Sequence, residues 1–533
     1  MPVPRPDHTT PVPLPVVAAA VNAPSSGDAD VVLTGITHDS RQVRPGDLYA
    51  ALPGANVHGG TFVASAVERG AAAVLTDRAG ADLIEATADG ASVPVLVVDS
   101  PRAVLGDAAS TIYGTGHAPL QTFGITGTNG KTTTAYLLSS ALDALGRTTG
   151  LIGTVEVRVG DERIPSERTT PEATDLHSVL AIMTERGVEN CTMEVSSHAL
   201  SQHRVDGLVF DVALFTNLSQ DHLDYHGSME EYFGVKAQLF TAAHARRGVV
   251  CVDDDWGRQL AQIATIPVTT VASSAERGAD WVITAGADRE FTLAQAARPD
   301  SADPGAILEL TSALPGDFNQ VNTALATIAL LDAGYAMAEV VHAVATAPEV
   351  PGRFETVALD RSDLPDLDEV DQEDLDSLPW VVVDYAHTPD AVRAVLAALR
   401  PDTTGDLVVV LGAGGDRDRG KRAAMGEAAA TGADVVIVAD DNPRNEDPAV
   451  IRRAILEGAS AGPARVLEVP ERRSAIATAL RLAHEAGPGS TVALVGKGHE
   501  TGQTVGTTVQ HFDDREEGRA ALVDLLRSVR ASA

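Results

Sequence analysis

Short apolar runs that end in polar turns recur along most of the chain, with longer mixed stretches between them. VVLTGITHDS, DLYAALPG, AAAVLTD and VPVLVVDS read as buried strands, and TFVASAVERG between them has helical spacing. QTFGITGTNGKTTTAYLLSSAL reads as a strand, a glycine-rich turn and a helix, and NCTMEV, DVALFTN and GVVCVD continue the strand series. After PGRFE the rhythm resumes. WVVVDYAHTPDAVRAVLAAL, DLVVVLGAGG, ADVVIVADDNPR and STVALVGKGHE each pass from an apolar strand into a polar turn. Strands alternating with helices predict an α/β fold whose mainly parallel sheets carry helices on both faces.

The length, 533 residues, suits about three domains. The pattern predicts a small α/β domain over 25–119, a central nucleotide-binding domain over 120–350 and a third, Rossmann-like domain over 351–533. Residues 1–24 are rich in proline and are expected to be a disordered tail. The stretch 360–379, DRSDLPDLDEVDQEDLDSLP, is strongly acidic, lacks apolar periodicity and is expected to be a solvated insert.

Charge and cysteine usage narrow the function. A formal net charge of −34 argues against binding nucleic acid or an anionic membrane through a basic surface. Local cations and backbone amides can still hold an anionic substrate. Two cysteines, Cys191 and Cys251, do not make a disulfide scaffold. No apolar run is long enough for a transmembrane helix, and the amino terminus lacks signal-peptide character. A soluble, cytoplasmic protein is expected.

The strongest chemical signal is GITGTNGKTTT, Gly124 to Thr134. Glycines let backbone amides fold around a phosphate chain, a lysine reaches the outer phosphates, and a hydroxyl can face Mg²⁺. Those roles fall to Gly127, Thr128, Asn129, Gly130, Lys131, Thr132 and Thr133. The usual spacing wants glycine at 125, where this chain has Ile125, so the loop is a variant. GAGGDRDRG does not complete a dinucleotide fingerprint, because Arg417 stands where the third glycine belongs. Glu194 and His222 are candidate metal ligands. Lys236, taken alone, reads as a surface lysine on a helix.

The ordered set GTNGKTTT, MEVSSHAL, FTNLSQDHLDYHG, YFGVKAQLF, GDFNQVNTALA, PGRFE, DYAHTPD and GKGHE resembles the Mur ligases of peptidoglycan synthesis. The resemblance runs from Asp39 to about residue 525 and omits the tail and the acidic insert. It implies that the first domain holds a uridine nucleotide, with Ser40 and Arg41 nearby. Lys131, Lys236 and His222 match catalytic positions, and Thr132, Glu194, His222 and Lys236 match the Mg²⁺ positions. Lys236 matches a lysine that the family carbamylates with CO₂, which exchanges a cation for a carboxylate-like anion. Asn319, Asn322, Arg353, Asp384 and His387 match positions around ATP. Thr169, Thr170, Ser196, Gln202 and Arg204 match the binder of the muramoyl dipeptide.

The implied reaction is ATP-driven amide formation between UDP-N-acetylmuramoyl-L-alanyl-D-glutamate and an incoming amino acid, through an acyl phosphate. The implied partners are these small molecules alone, and a monomer is implied. Domain closure would bring the parts together. Asp441, Asn442, Pro443 and Arg444 match the D-N-P-R of the family's diaminopimelate adders, and Arg417, Gly496 and Glu500 match the other amino-acid contacts. A planar guanidinium suits the second carboxylate of meso-diaminopimelate, which lysine lacks. The plain alternative for Arg444 is a surface ion pair with Glu446 or Asp447. Other readings of the whole are a lysine-adding ligase, a folylpolyglutamate synthase-like ligase and a non-catalytic nucleotide-binding regulator.

Overall fold

The computed structural model describes residues 4–24, 30–86, 93–166, 168–287, 289–297, 305–345, 350–359, 363–364, 374–375 and 377–532. Most of the acidic insert lies outside the described residues.

Three main sheets carry the fold. The first is parallel, in the order Gly35–Thr37, Asp47–Ala50, Ala73–Thr76, Val95–Val97. The second has eleven strands. At its centre Gln121–Thr126 lies between Asn190–Glu194 and Val212–Phe215, parallel to both. Gly248–Cys251, Val268–Ala272 and Trp281–Ala285 extend it in parallel, and antiparallel strands finish both edges. These central strands are apolar on both sides, as a parallel sheet covered on both faces requires. Phe123 and Ile125 pack toward the helices Lys131–Ala144 and Asp317–Asp332, while Met193, Phe210 and Phe215 pack on the opposite face.

The third sheet runs Glu355–Val357, Trp380–Asp384, Thr491–Val495, Leu407–Leu411, Val435–Val438, Arg465–Glu468. All but the first strand are parallel. Parallel alignment gathers the carboxyl ends of these strands at one edge. The four polar turns legible in the sequence, after Asp384, Leu411, Val438 and Val495, therefore converge there. Val and Leu fill the core, in keeping with an aromatic content of 4%.

The amino-terminal segment corrects the expected disordered tail. Val12–Pro13 pairs with Val32–Leu33, and Leu14–Ala20 is a helix that buries Leu14, Val17 and Ala18. Proline suits the first helical turn, where its missing N–H would have no partner anyway. Arg5 Nη1 donates to both oxygens of buried Asp47 at 2.7 Å. The Ser178 hydroxyl donates to Pro4 O at 2.8 Å, and the backbone amides of Asp7 and His8 donate to Glu185 at 2.9 Å. Both cysteines are buried, and burial pushes the Cys191 thiol up to about 12.

Candidate active site

The glycine-rich turn follows the strand Gln121–Thr126 and opens the helix Lys131–Ala144. Glycine is required at two positions. Gly127 has φ 147°, and a Cβ there would lie 2.0 Å from Thr216 Oγ1. Gly130 has φ 86°, and a Cβ would lie 2.6 Å from Asn322 Oδ1. The turn is thus pressed against the loop after Phe215 and against the helix Asp317–Asp332. Lys131 Nζ donates to the carbonyls of Gly127 (2.9 Å) and Thr128 (2.8 Å), which holds the cation over the turn.

Thr132 Oγ1 donates to Glu194 Oε2 at 2.9 Å. The same carboxylate accepts from the amide and the hydroxyl of Thr154, at 2.8 and 3.0 Å. Arg353 Nη2 donates to Thr132 Oγ1 at 3.0 Å. The guanidinium also lies over the Tyr385 ring, 4.4 Å from its centroid, and donates to His499 Nδ1 at 3.2 Å.

Lys236 is not a surface lysine. Its side chain is buried, and its Nζ donates to Gly127 O at 2.8 Å and Thr126 Oγ1 at 3.3 Å. Burial first, and the Lys131 cation second, push the amine well below its ordinary range. His222 has φ 56° and is likewise driven down, to about 3, by burial. Asn322 Nδ2 donates to Asn319 Oδ1 at 3.1 Å, and Asn322 Oδ1 accepts from Thr134 at 3.3 Å.

A cleft of about 680 Å³ joins these groups. Thr128 to Thr133, Thr169, Glu194, Ser196, His222, Lys236, Asn319, Asn322, Arg353, Asp384 and His387 all line it. Thr170, Gln202 and Arg204 stand behind its wall. Thr170 Oγ1 donates to Glu194 O at 2.9 Å, and Arg204 donates to Thr170 O at 3.1 Å and Gln202 Oε1 at 2.7 Å. Ser40 and Arg41 lie outside the cleft. Arg41 is exposed and grips Asp39 with two hydrogen bonds, at 2.9 and 2.8 Å. Their turn is tied to the central domain where His38 Nδ1 meets Thr174 Oγ1 at 2.9 Å.

A second constellation surrounds the turn Asp441–Arg444. Asp441 and Asn442 are buried. Asn442 Nδ2 donates to Glu500 Oε2 at 2.8 Å, and its Oδ1 accepts from the Thr504 amide at 2.9 Å. Lys497, fully buried, lies 3.5 Å from both Asp441 and Glu500. Burial, and then Asp441, raise the Glu500 carboxyl above its ordinary range. Arg444 has φ 51°, and a two-way backbone bridge to the hairpin Gly502–Val505/Thr508–His511 holds it there. Its amide donates to Thr504 O (3.0 Å), and its carbonyl accepts from Gly506 (2.7 Å).

The Arg444 guanidinium donates to Gly415 O at 2.7 Å. Among the described residues it has no carboxylate partner. Glu446 instead grips buried Arg422 through two hydrogen bonds of 3.0 Å, which hold its carboxyl near 2. The ion pair offered as the plain alternative for Arg444 is therefore not formed. Arg417 is exposed, and its charge, after burial and Arg204, helps depress His198. Gly496, at φ 112°, follows the strand Thr491–Val495 directly.

Residues 125–330 match the model for the Mur ligase middle domain, 369–498 that for the Mur ligase glutamate ligase domain, and 32–113 that for the Mur ligase family catalytic domain. Over 527 residues the chain is 48% identical to the UDP-N-acetylmuramoyl-L-alanyl-D-glutamate–2,6-diaminopimelate ligase of Streptomyces coelicolor, covering 97% of this chain and 98% of that one. The chain belongs to the Mur ligase family. It is also 46% identical to the UDP-N-acetylmuramyl-tripeptide synthetase of Leifsonia xyli, over 97% of both chains. A solved UDP-N-acetylmuramoyl-L-alanyl-D-glutamate–2,6-diaminopimelate ligase superposes with a TM-score of 0.64 at 29% identity, covering 97% of this chain and all of that one.

The sequence motifs of this Mur ligase left one central group unremarked. Asp221 is buried beside His222, and Lys421 Nζ donates to its Oδ1 at 2.9 Å. His222 Nε2 and His387 Nε2 each lie 3.4 Å from Oδ2. Burial alone would raise this carboxyl, but His387, Lys421 and His222 outweigh burial and hold it far below the usual range. Arg472 and Asp514, both fully buried, form a second unforeseen pair, with hydrogen bonds of 2.8 and 2.6 Å. A larger concavity, about 770 Å³, lies at the opposite edge of the central sheet. Its cations are already paired, Arg147 with Glu189 and Arg246 with Asp211.

Proposed function

We propose that this Mur ligase joins meso-diaminopimelate to UDP-N-acetylmuramoyl-L-alanyl-D-glutamate, driven by cleavage of ATP to ADP and phosphate. The observation that carries the reading is the Arg444 guanidinium, free of any carboxylate among the described residues and carried on the same turn as buried Asp441 and as Asn442, which holds the half-buried acid Glu500. Diaminopimelate offers a carboxylate to the guanidinium and an ammonium to the acids. Lysine would leave the guanidinium without an acid to bind, a poor use of a fixed cation.

The side-chain carboxylate of the D-glutamyl residue attacks the γ-phosphorus of ATP. The bond from that phosphorus to the β,γ-bridging oxygen breaks, giving ADP and an acyl phosphate. The amine of diaminopimelate then attacks the acyl carbon, loses a proton, and the tetrahedral intermediate expels phosphate. The protein orients the reactants and neutralises charge. The turn 127–130 and Lys131 would hold the phosphates, and Asn319, Asn322, Arg353, Asp384 and His387 would surround ATP. Thr169, Thr170, Ser196, Gln202 and Arg204 would hold the muramoyl dipeptide, while Ser40 and Arg41 would lie near its uridine.

Thr132 Oγ1 and Glu194 Oε2, both hard oxygens, lie 2.9 Å apart, with His222 and Lys236 lining the same cleft. That set fits Mg²⁺, which keeps several waters and needs few protein ligands. Bound there, Mg²⁺ would screen the crowded anions. Lys236 fits carbamylation, because burial favours the neutral amine that CO₂ requires. The enzyme is proposed to act in the cytoplasm as a monomer on these small molecules. No helix of the described residues is long and apolar enough to cross a membrane.

The test is phosphate release with ATP, Mg²⁺ and the muramoyl dipeptide, offering meso-diaminopimelate, L-lysine, L-ornithine or no amino acid. Release only with diaminopimelate is expected. Release with lysine instead would overturn the amino-acid assignment, and no release would overturn the ligase.

A further inference from the structure

The loop 412–420 and the loop 216–222 follow strands of different sheets, yet the helix after the first meets the second at a buried ion pair. Lys421 is the first residue of the helix Lys421–Gly432. Its Nζ reaches across to Asp221 Oδ1, and both side chains are nearly excluded from water, at 10% and 5% exposure. The loop before Lys421 supplies Gly415 O, the acceptor for Arg444. The residue after it, Arg422, grips Glu446 and Gly414 O. On the other side, Asp221 is chain neighbour to His222 and lies 3.4 Å from His387. A continuous set of contacts therefore runs from the guanidinium of Arg444, through the loop and Lys421, to the edge of the phosphate cleft.

We propose that Lys421 and Asp221 form a pin between the second and third domains, and that Lys421 positions the amino-acid loop over the acyl carbon. The chemistry gives such a pin a purpose. The amine and the acyl phosphate are held by different domains, and amide formation needs them at near-attack distance. Surface pairs shift such an equilibrium little. A buried pair that is broken leaves a bare charge, which makes the two arrangements energetically distinct. Asp221 and Lys421 touch neither the turn 127–130 nor Arg444, so Lys421 is a positioning residue. The kinetic part of this proposal rests on the ligase reading above, whereas the structural part does not.

The test compares the wild type with K421M, D221N, the double variant and K421R, in the full chain. Two readouts are taken: backbone hydrogen exchange of 216–222 and 412–422, and steady-state kinetics in each substrate. In K421M and D221N both loops should exchange faster than in the wild type. kcat/KM for the amino acid should fall by roughly 10²-fold, the loss that a 1 Å misplacement carries, with KM for ATP little changed in K421M. The double variant should lose little more than either single variant, and K421R should recover most of the protection. Wild-type exchange at both loops in K421M and D221N would overturn the pin, as would losses that simply add in the double variant. If the wild type forms no product while K421M and D221N loosen both loops, the pin stands and the ligase reading fails.

Discussion

The guanidinium of Arg353 donates to the hydroxyl of Thr132 at 3.0 Å, joining positions 221 residues apart. Thr132 in turn donates to Glu194, so one hydroxyl stands between a cation and an acid in the cleft. Substituting Arg353 by lysine should keep the charge and lose the planar fork. A fall in kcat of roughly 10²-fold is expected, with the uridine substrate's KM unchanged. Single-turnover measurement of acyl-phosphate formation would locate the loss before amide formation. An unchanged first step would place Arg353 elsewhere.

Arg444→Ala should raise the KM for diaminopimelate about 10- to 100-fold, the worth of one or two charge-assisted hydrogen bonds. Arg444→Lys should recover only part of this. Isothermal titration of diaminopimelate into enzyme holding an ATP analogue and the muramoyl dipeptide gives the same comparison without turnover. Equal affinity in wild type and variant would remove Arg444 from the site.

Lys236→Arg keeps a cation but cannot form the carbamate. Activity should drop by roughly 10²- to 10³-fold if a negative group is needed there. ¹³C NMR of the folded enzyme in ¹³C-labelled bicarbonate at neutral pH should show one carbamate carbon on the wild type and none on the variant. Absence of the adduct from active wild-type enzyme would exclude the modification.

The Arg422–Glu446 clamp predicts a pH dependence of stability. Glu446 titrates near 2 when folded, against an ordinary 4.5, so the folded state binds its proton less readily than the unfolded chain does. Its contribution is complete above about pH 4.5 and is lost as pH falls toward 2. Urea melts across this range should converge for wild type and Glu446→Gln at the acid end. A constant gap between them would refute this account of the clamp.

Breaking the buried pair of Arg472 and Asp514 should be severe. Asp514→Ala leaves a buried guanidinium unpaired, a loss of about 3–5 kcal/mol. Chemical denaturation of the variant would measure it. A change under about 1 kcal/mol would mean that water reaches the cation.

Parts of this site were legible because their chemistry is local. The turn Gly127–Thr133 and the run Asp441–Arg444 announce, in a few adjacent residues, a polar turn after a strand, and the structure forms both turns there. The parallel rhythm of strands and helices was equally plain. Asp221 and Lys421 were not legible, because an acid and a lysine 200 positions apart carry no shared pattern. Lys236 read as a surface residue because composition cannot tell which helix face is covered. The amino-terminal segment was misread for a different reason. Its prolines suggested a loose chain, although Leu14, Val17, Ala18 and Val21 already had the spacing of a buried helical stripe.

The grip of that segment on two domains bears on how the enzyme can move. Arg5 holds the first sheet through Asp47, while Pro4, Asp7 and His8 hold the helix Ala173–Glu185 of the second domain. The leading residues act as a strap across that seam. Separating the first two domains would have to break these bonds, whereas the third domain meets the second through Lys421 with Asp221 and Arg353 with Thr132.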